Sequence, residues 1–119
     1  MGMIAYTVKL SGRSFFVVEW TDLTVADATG FAFQAPAWSE KSIQVYGAFG
    51  VGGIVTIEGC NDFSETNWVV LKNGVGNDLT ILSAKLETVL ENTYAIRPRI
   101  TGGNGDTKVT VAMVITTTR

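Results

Sequence analysis

The residues able to do chemistry in this chain are few, and their spacing gives catalysis little to work with. Cys60 lies in the turn Gly59-Cys60-Asn61-Asp62 and supplies the chain's single thiol. A cysteine protease or transferase needs a base beside the sulfur, normally histidine, and the sequence contains none. The same absence removes the commonest metal ligand and the commonest general base. Asp62, Asp78 and Asp106 all sit near glycine turns. Calcium needs six to eight oxygens brought together, and no EF-hand or repeat spacing does so here, so these residues read as turn formers. Glu87 and Glu91 form a carboxylate pair, but glycoside hydrolysis requires two carboxyls facing each other across a cleft. Solvated surface charge is the better reading. The glycines of GAFGVGG (47–53) precede no Lys-Ser/Thr and open no helix, so they are not a phosphate loop.

What remains is surface chemistry. Trp20, Trp38, Trp68, Tyr46 and Tyr94 could form a sugar-stacking platform or a protein-contact hot spot if two or three were exposed on one face. Core packing is the competing reading for each. Arg97 and Arg99 project from one face of a strand, flanking Pro98. They could pair with carboxylates on a partner, or simply be solvated.

These residues must be positioned by a small β domain. The chain has 119 residues, enough for one compact domain and too few for two ordinary ones. Hydrophobic content is 46% and charged content 17%, which argues for a folded chain. A net charge of -2, with the basic residues scattered, gives no reason to expect nucleic-acid binding. No apolar run reaches the length needed to cross a bilayer, and the N-terminus lacks the pattern of a secretory signal. One cysteine cannot form an internal disulfide, so folding in a reducing cytoplasm is expected. No cofactor or metal site is expected.

Alternation places the strands. Ser42–Phe49 puts Ile43, Val45 and Phe49 on one parity and Gln44 and Tyr46 on the other. Gly50, Gly52 and Gly53 permit a reversal, after which Val55 and Ile57 resume the alternation. Ser42–Leu71 therefore predicts an antiparallel meander with a central hairpin at the glycines. Met3–Leu10 and Ser14–Trp20 predict two strands joined at Ser11-Gly12, with an extended N-terminal arm followed by one strand as the alternative, so that residues 1–20 are an arm or a hairpin. Thr21–Gly30 reads as a loop, and Phe31–Pro36 as a short strand limited by Pro36. Ala84–Asn92 fits a helical turn through Leu86, Val89 and Leu90, or a strand through Leu86, Thr88 and Leu90; strand or loop is preferred. Thr93–Thr101 turns Tyr94, Ile96 and Ile100 inward, and its Pro98 points to an edge strand or a bulge. Thr107–Thr116 puts Val109, Val111, Met113 and Ile115 on one face, and residues 117–119 read as a frayed tail. The sum is an all-β protein: an antiparallel, jelly-roll-like β-sandwich of about eight strands in one domain, 1–119.

Residues 42–62 (SIQVYGAFGVGGIVTIEGCND), 67–71 (NWVVL) and 86–111 (LETVLENTYAIRPRITGGNGDTKVTV) resemble a family of small tailed-phage and prophage head decoration, or cement-like, proteins. The looser stretch TVADATGFAF (24–33) fits the same family, whose second turn usually reads GSNDG where this chain has GCNDFSET. The resemblance implies a non-enzymatic protein on the capsid exterior of a virion, made in the host cytoplasm, that binds the major capsid protein as a dimer or trimer. Ile4, Tyr6, Lys9, Trp38, Arg97 and Arg99 are the expected partner contacts. The pattern is also similar to discoidin-like jelly rolls, which would make the chain a carbohydrate-binding module with a glycan as ligand.

Overall fold

The computed structural model describes residues 2–34 and 40–116, so Trp38, the end of the expected 31–36 strand and the 117–119 tail lie outside the described residues. Alternating apolar residues build twelve strands: β1 (Met3–Ile4), β2 (Tyr6–Ser11), β3 (Phe15–Thr24), β4 (Thr29–Gly30), β5 (Phe33–Gln34), β6 (Glu40–Ala48), β7 (Ile54–Cys60), β8 (Val69–Val70), β9 (Thr80–Ile81), β10 (Lys85–Val89), β11 (Ala95–Gly102) and β12 (Lys108–Thr116). Five of them are two-residue bridges, leaving seven of full length against the eight expected. Strands β10-β6-β12-β3-β2 form one sheet. The other runs β1-β4-β11-β7-β8, with β5 added to β11 and β9 to β7. Among the described residues all pairings are antiparallel except that of β1 with β4. Consecutive strands repeatedly change sheet, at β1/β2, β3/β4, β5/β6, β6/β7, β9/β10, β10/β11 and β11/β12, as in a jelly-roll-like sandwich.

The core lies between the sheets. Val18, Trp20 and Leu23 of β3, Ile43 and Val45 of β6, and the β12 stripe Val109, Val111, Met113 and Ile115 face Val55, Ile57, Ile96 and Ile100 of the other sheet. Each such side chain contributes about 1.5–3 kcal/mol by leaving water. Trp20 is locked further, because its indole N–H donates to the Phe31 carbonyl at 2.9 Å.

Four expectations change. First, β6 and β7 do not form a hairpin. β6 pairs with β10 and β12, whereas β7 pairs with β11, β8 and β9. The glycine turn is an arch that carries the chain from one sheet to the other. Gly50 and Gly52 have φ of 67° and 72°, and a Cβ at Gly53 would run into the Phe49 carbonyl. Second, the stretch read as a loop from Thr21 begins as strand, since β3 continues to Thr24. A bulge there lets Val109 and Val111 face Leu23 and Trp20, with Asp22 at φ 62° and its N–H donated to Thr110 Oγ1.

Third, Pro98 occupies neither an edge strand nor a bulge. β11 is interior, and its bulge falls between Ile100 and Gly102. Pro98 is opposite Ile57, whose N–H and C=O are used towards Leu79 and Leu71. The missing N–H of Pro98 therefore points to the other side, into the gap between β5 and β4, where no strand needs it. Fourth, Ala84–Asn92 contains strand β10, but the parity of Leu86 is its outer one: Leu86 is opposite Gln44 and is 68% exposed, while Val89 is buried.

Candidate functional site

The described residues concentrate polar order on the outer face of the β7–β11 pair. Along β7, Val55 and Ile57 point to the core, so Thr56, Glu58 and Cys60 point away from it. Along β11, Arg97 and Arg99 share that outer face, with Arg97 directly opposite Glu58 and Arg99 opposite Thr56. Arg97 Nε donates to Glu58 Oε1 at 2.9 Å, and Arg99 Nε donates to Oε2 at 3.0 Å. The Glu58 side chain is only 7% exposed, against 20% for Arg97 and 45% for Arg99. One carboxylate held by two guanidiniums leaves one net positive charge at the surface.

The loop after β7 folds over this face and builds its rim. Asp62 is the organiser: its carboxylate accepts the N–H and hydroxyl of Thr66, the Ser64 hydroxyl and the Asn67 N–H. The Thr66 N–H first, then the Ser64 hydroxyl, hold the carboxyl well below the usual range. The loop passes through Glu65 at φ 58°, whose carboxylate accepts Gln34 Nε2 at 2.7 Å and whose carbonyl accepts the Trp68 indole N–H at 2.9 Å. Trp68 thereby lies against the Arg97 guanidinium, whose carbon is 4.0 Å from the ring centroid. At the other end Asn61 Oδ1 accepts the Tyr94 N–H, and Tyr94 meets Phe63 with ring centroids 5.5 Å apart. Phe63 is 84% exposed. Arginine and aromatic residues with fixed geometry and open outer surfaces are the types that dominate protein-contact hot spots.

Of the residues expected to make contacts, Arg97 and Arg99 are brought together here. Their partner within the chain is Glu58, an arrangement outside both readings made from sequence. Its signal was present: a lone charge in the otherwise uncharged strand IVTIEGC (54–60). Ile4 and Tyr6 are directed elsewhere. Both pack against the core, Tyr6 edge-on to Trp20 and Phe33 at 6.0 and 5.1 Å. The N-terminal segment is tied down as β1 and as the β2–β3 hairpin, so the hairpin holds and the free arm does not. Lys9 is exposed at the β2 bulge, 3.9 Å from Glu19.

Cys60 is buried, and burial, with Asp62 adding to it, pushes its thiol upward, the direction opposite to that of a nucleophile. Glu87 and Glu91 are engaged separately, Glu87 by Asn73 Nδ2 and Glu91 by the Lys72 N–H. Among the described residues no three His, Cys, Asp or Glu side chains are grouped to hold a metal. Two shallow depressions, of about 410 and 510 Å³, are lined by Glu40, Lys41, Ser42, Thr88, Val89, Val114 and Thr116 and by residues of the 24–26 and 104–107 turns. Among the described residues neither is lined by an aromatic side chain.

In sequence the chain matches no protein-family model and no curated protein. In structure it is similar to the SPBc2 prophage-derived protein YomS, with a TM-score of 0.57 at 10% identity, over 90% of this chain and 98% of that one. That likeness is one of fold.

Proposed function

We propose that this chain is a non-enzymatic structural protein of a phage particle, a decoration or cement-like protein that binds the major capsid protein on the head exterior. The observation that carries the phage assignment is the fold shared with a prophage-derived protein across nearly the whole of both chains. The resemblance of residues 42–62, 67–71 and 86–111 to phage decoration proteins points the same way. The outer face of β7 and β11 supports a binding role. Its Arg–Glu–Arg cluster, stacked Trp68 and exposed Phe63 are assembled before any partner arrives, which lowers the ordering cost of association. Capsid symmetry would repeat such a contact many times, and avidity would compensate for a modest single affinity. A closed dimer or trimer made in the host cytoplasm suits attachment at capsid symmetry axes.

The carbohydrate-binding reading has less support. Trp20 is buried, Trp68 has Arg97 over its ring, and among the described residues neither depression is lined by an aromatic side chain. Sedimentation of expanded capsids lacking the protein, after mixing with purified chain, tests the proposal. Saturable retention at a fixed copy number per capsid is expected. Full recovery in the supernatant would sink the capsid reading, and retention abolished by free sugar would favour the glycan one.

A further inference from the structure

We propose that the Arg97–Glu58–Arg99 cluster is a carboxylate-binding site, and that its ligand is an acidic side chain of a protein partner. Each guanidinium is anchored to Glu58 through Nε alone, at 2.9 and 3.0 Å. Their terminal amino groups have no hydrogen-bond partner among the described residues. Glu58 is nearly closed off, so it acts as a brace that fixes two donor forks rather than as a ligand itself. Trp68 packs on Arg97 and restricts the plane of that fork further. A planar, two-donor fork with its stem fixed matches an oxyanion, and fixing it removes rotamer entropy that arginine would otherwise lose on binding.

Charge and surroundings select the oxyanion. The cluster carries one net positive charge, which a single carboxylate neutralises. A phosphate backbone brings many charges to a chain of net charge -2 whose basic residues form no patch. The rim adds apolar surface at Phe63, which is 84% exposed and suits an acidic residue set in a protein surface. The capsid-binding reading enters only as the source of that surface.

Titration with acetylated hexaglutamate, followed by the Nε–Hε resonances of Arg97 and Arg99 and by Trp68 fluorescence, tests the site. Both arginine signals are expected to shift saturably in the wild-type chain. Arg99→Gln, at the more exposed fork, is expected to weaken binding by about tenfold or more, and Arg99→Lys by at least about threefold, since it keeps charge and loses the fork. Amide spectra of each variant report whether it is folded, and the wild-type titration stands without them. Three results would overturn the proposal: no saturable shift in the wild type, unchanged affinity in folded Arg99→Gln or Arg99→Lys, or tighter binding of inorganic phosphate at equal ionic strength. Hexaglutamate binding without capsid retention would retain the site and remove the capsid; retention without hexaglutamate binding would do the reverse.

Discussion

Arg97 and Arg99 hold the same carboxylate from unequal positions, and their contributions to stability should separate accordingly. Arg97 is the more enclosed and also covers Trp68, whereas Arg99 is 45% exposed and partly solvated in any case. Removing either leaves Glu58 with one partner, and an under-compensated buried charge is costly. Arg97→Met is expected to cost about 2 kcal/mol and Arg99→Met less than about 1 kcal/mol, measured by urea denaturation. Asp62 makes a separate prediction. Its folded-state pKa is depressed below the unfolded value of about 3.9, because the carboxylate form receives the Thr66, Ser64 and Asn67 donors. Its contribution is therefore fully present above the unfolded pKa and lost as pH falls towards the folded one. Wild type should exceed Asp62→Asn in stability by a constant margin above about pH 5, and that margin should shrink below about pH 4. A margin that grows on acidification would contradict the hydrogen-bonded turn.

At the scale of elements, the arch between β6 and β7 and the short strand β4 place different demands on glycine. Gly52 has φ 72° and open space around it, so a side chain there meets only backbone strain. Gly52→Ala should cost about 1–2 kcal/mol and Gly52→Asn less, because asparagine tolerates the left-handed region better. Gly30 is a matter of space instead. A Cβ there would press on the Trp20 ring and on Pro98 Cδ, neither of which can retreat, since the indole is buried and its N–H is bonded to Phe31. Gly30→Ala is expected to cost about 1–3 kcal/mol and to shift the Trp20 emission, whereas Gly52→Ala should leave that emission unchanged.

Across the whole molecule, stability depends on partners far apart in the chain. The first long strands meet the last, β3 on β12, and β7 finds β11 on the far side of the β8–β10 segment. Loop closure must precede the reward of such pairings. Refolding followed by Trp20 fluorescence should accordingly take milliseconds to seconds rather than microseconds. A microsecond phase carrying the full Trp20 amplitude would mean that a local unit forms the core.

Side-chain parity was legible from residues alone, because the period of two is a property of the extended backbone and needs no partner. It placed Ile43 and Val45 in, Gln44 and Tyr46 out, Ile96 and Ile100 in, Arg97 and Arg99 out, and the β12 stripe in, and these assignments stand. Strand partners were legible only where a tight turn joins neighbours, as in the β2–β3 hairpin; the rest were not, because they are decided by which apolar faces meet across the core, and those belong to segments distant in sequence. Hence Ser42–Leu71, read as one hairpin, divides between two sheets, and Pro98 sits in an interior strand at the gap between two short neighbours. The candidate site shows the same limit. Arg97 and Arg99 could be named as an outward pair from their spacing, but Glu58 is 39 residues from Arg97 along the chain, and only the β7–β11 register sets it between them.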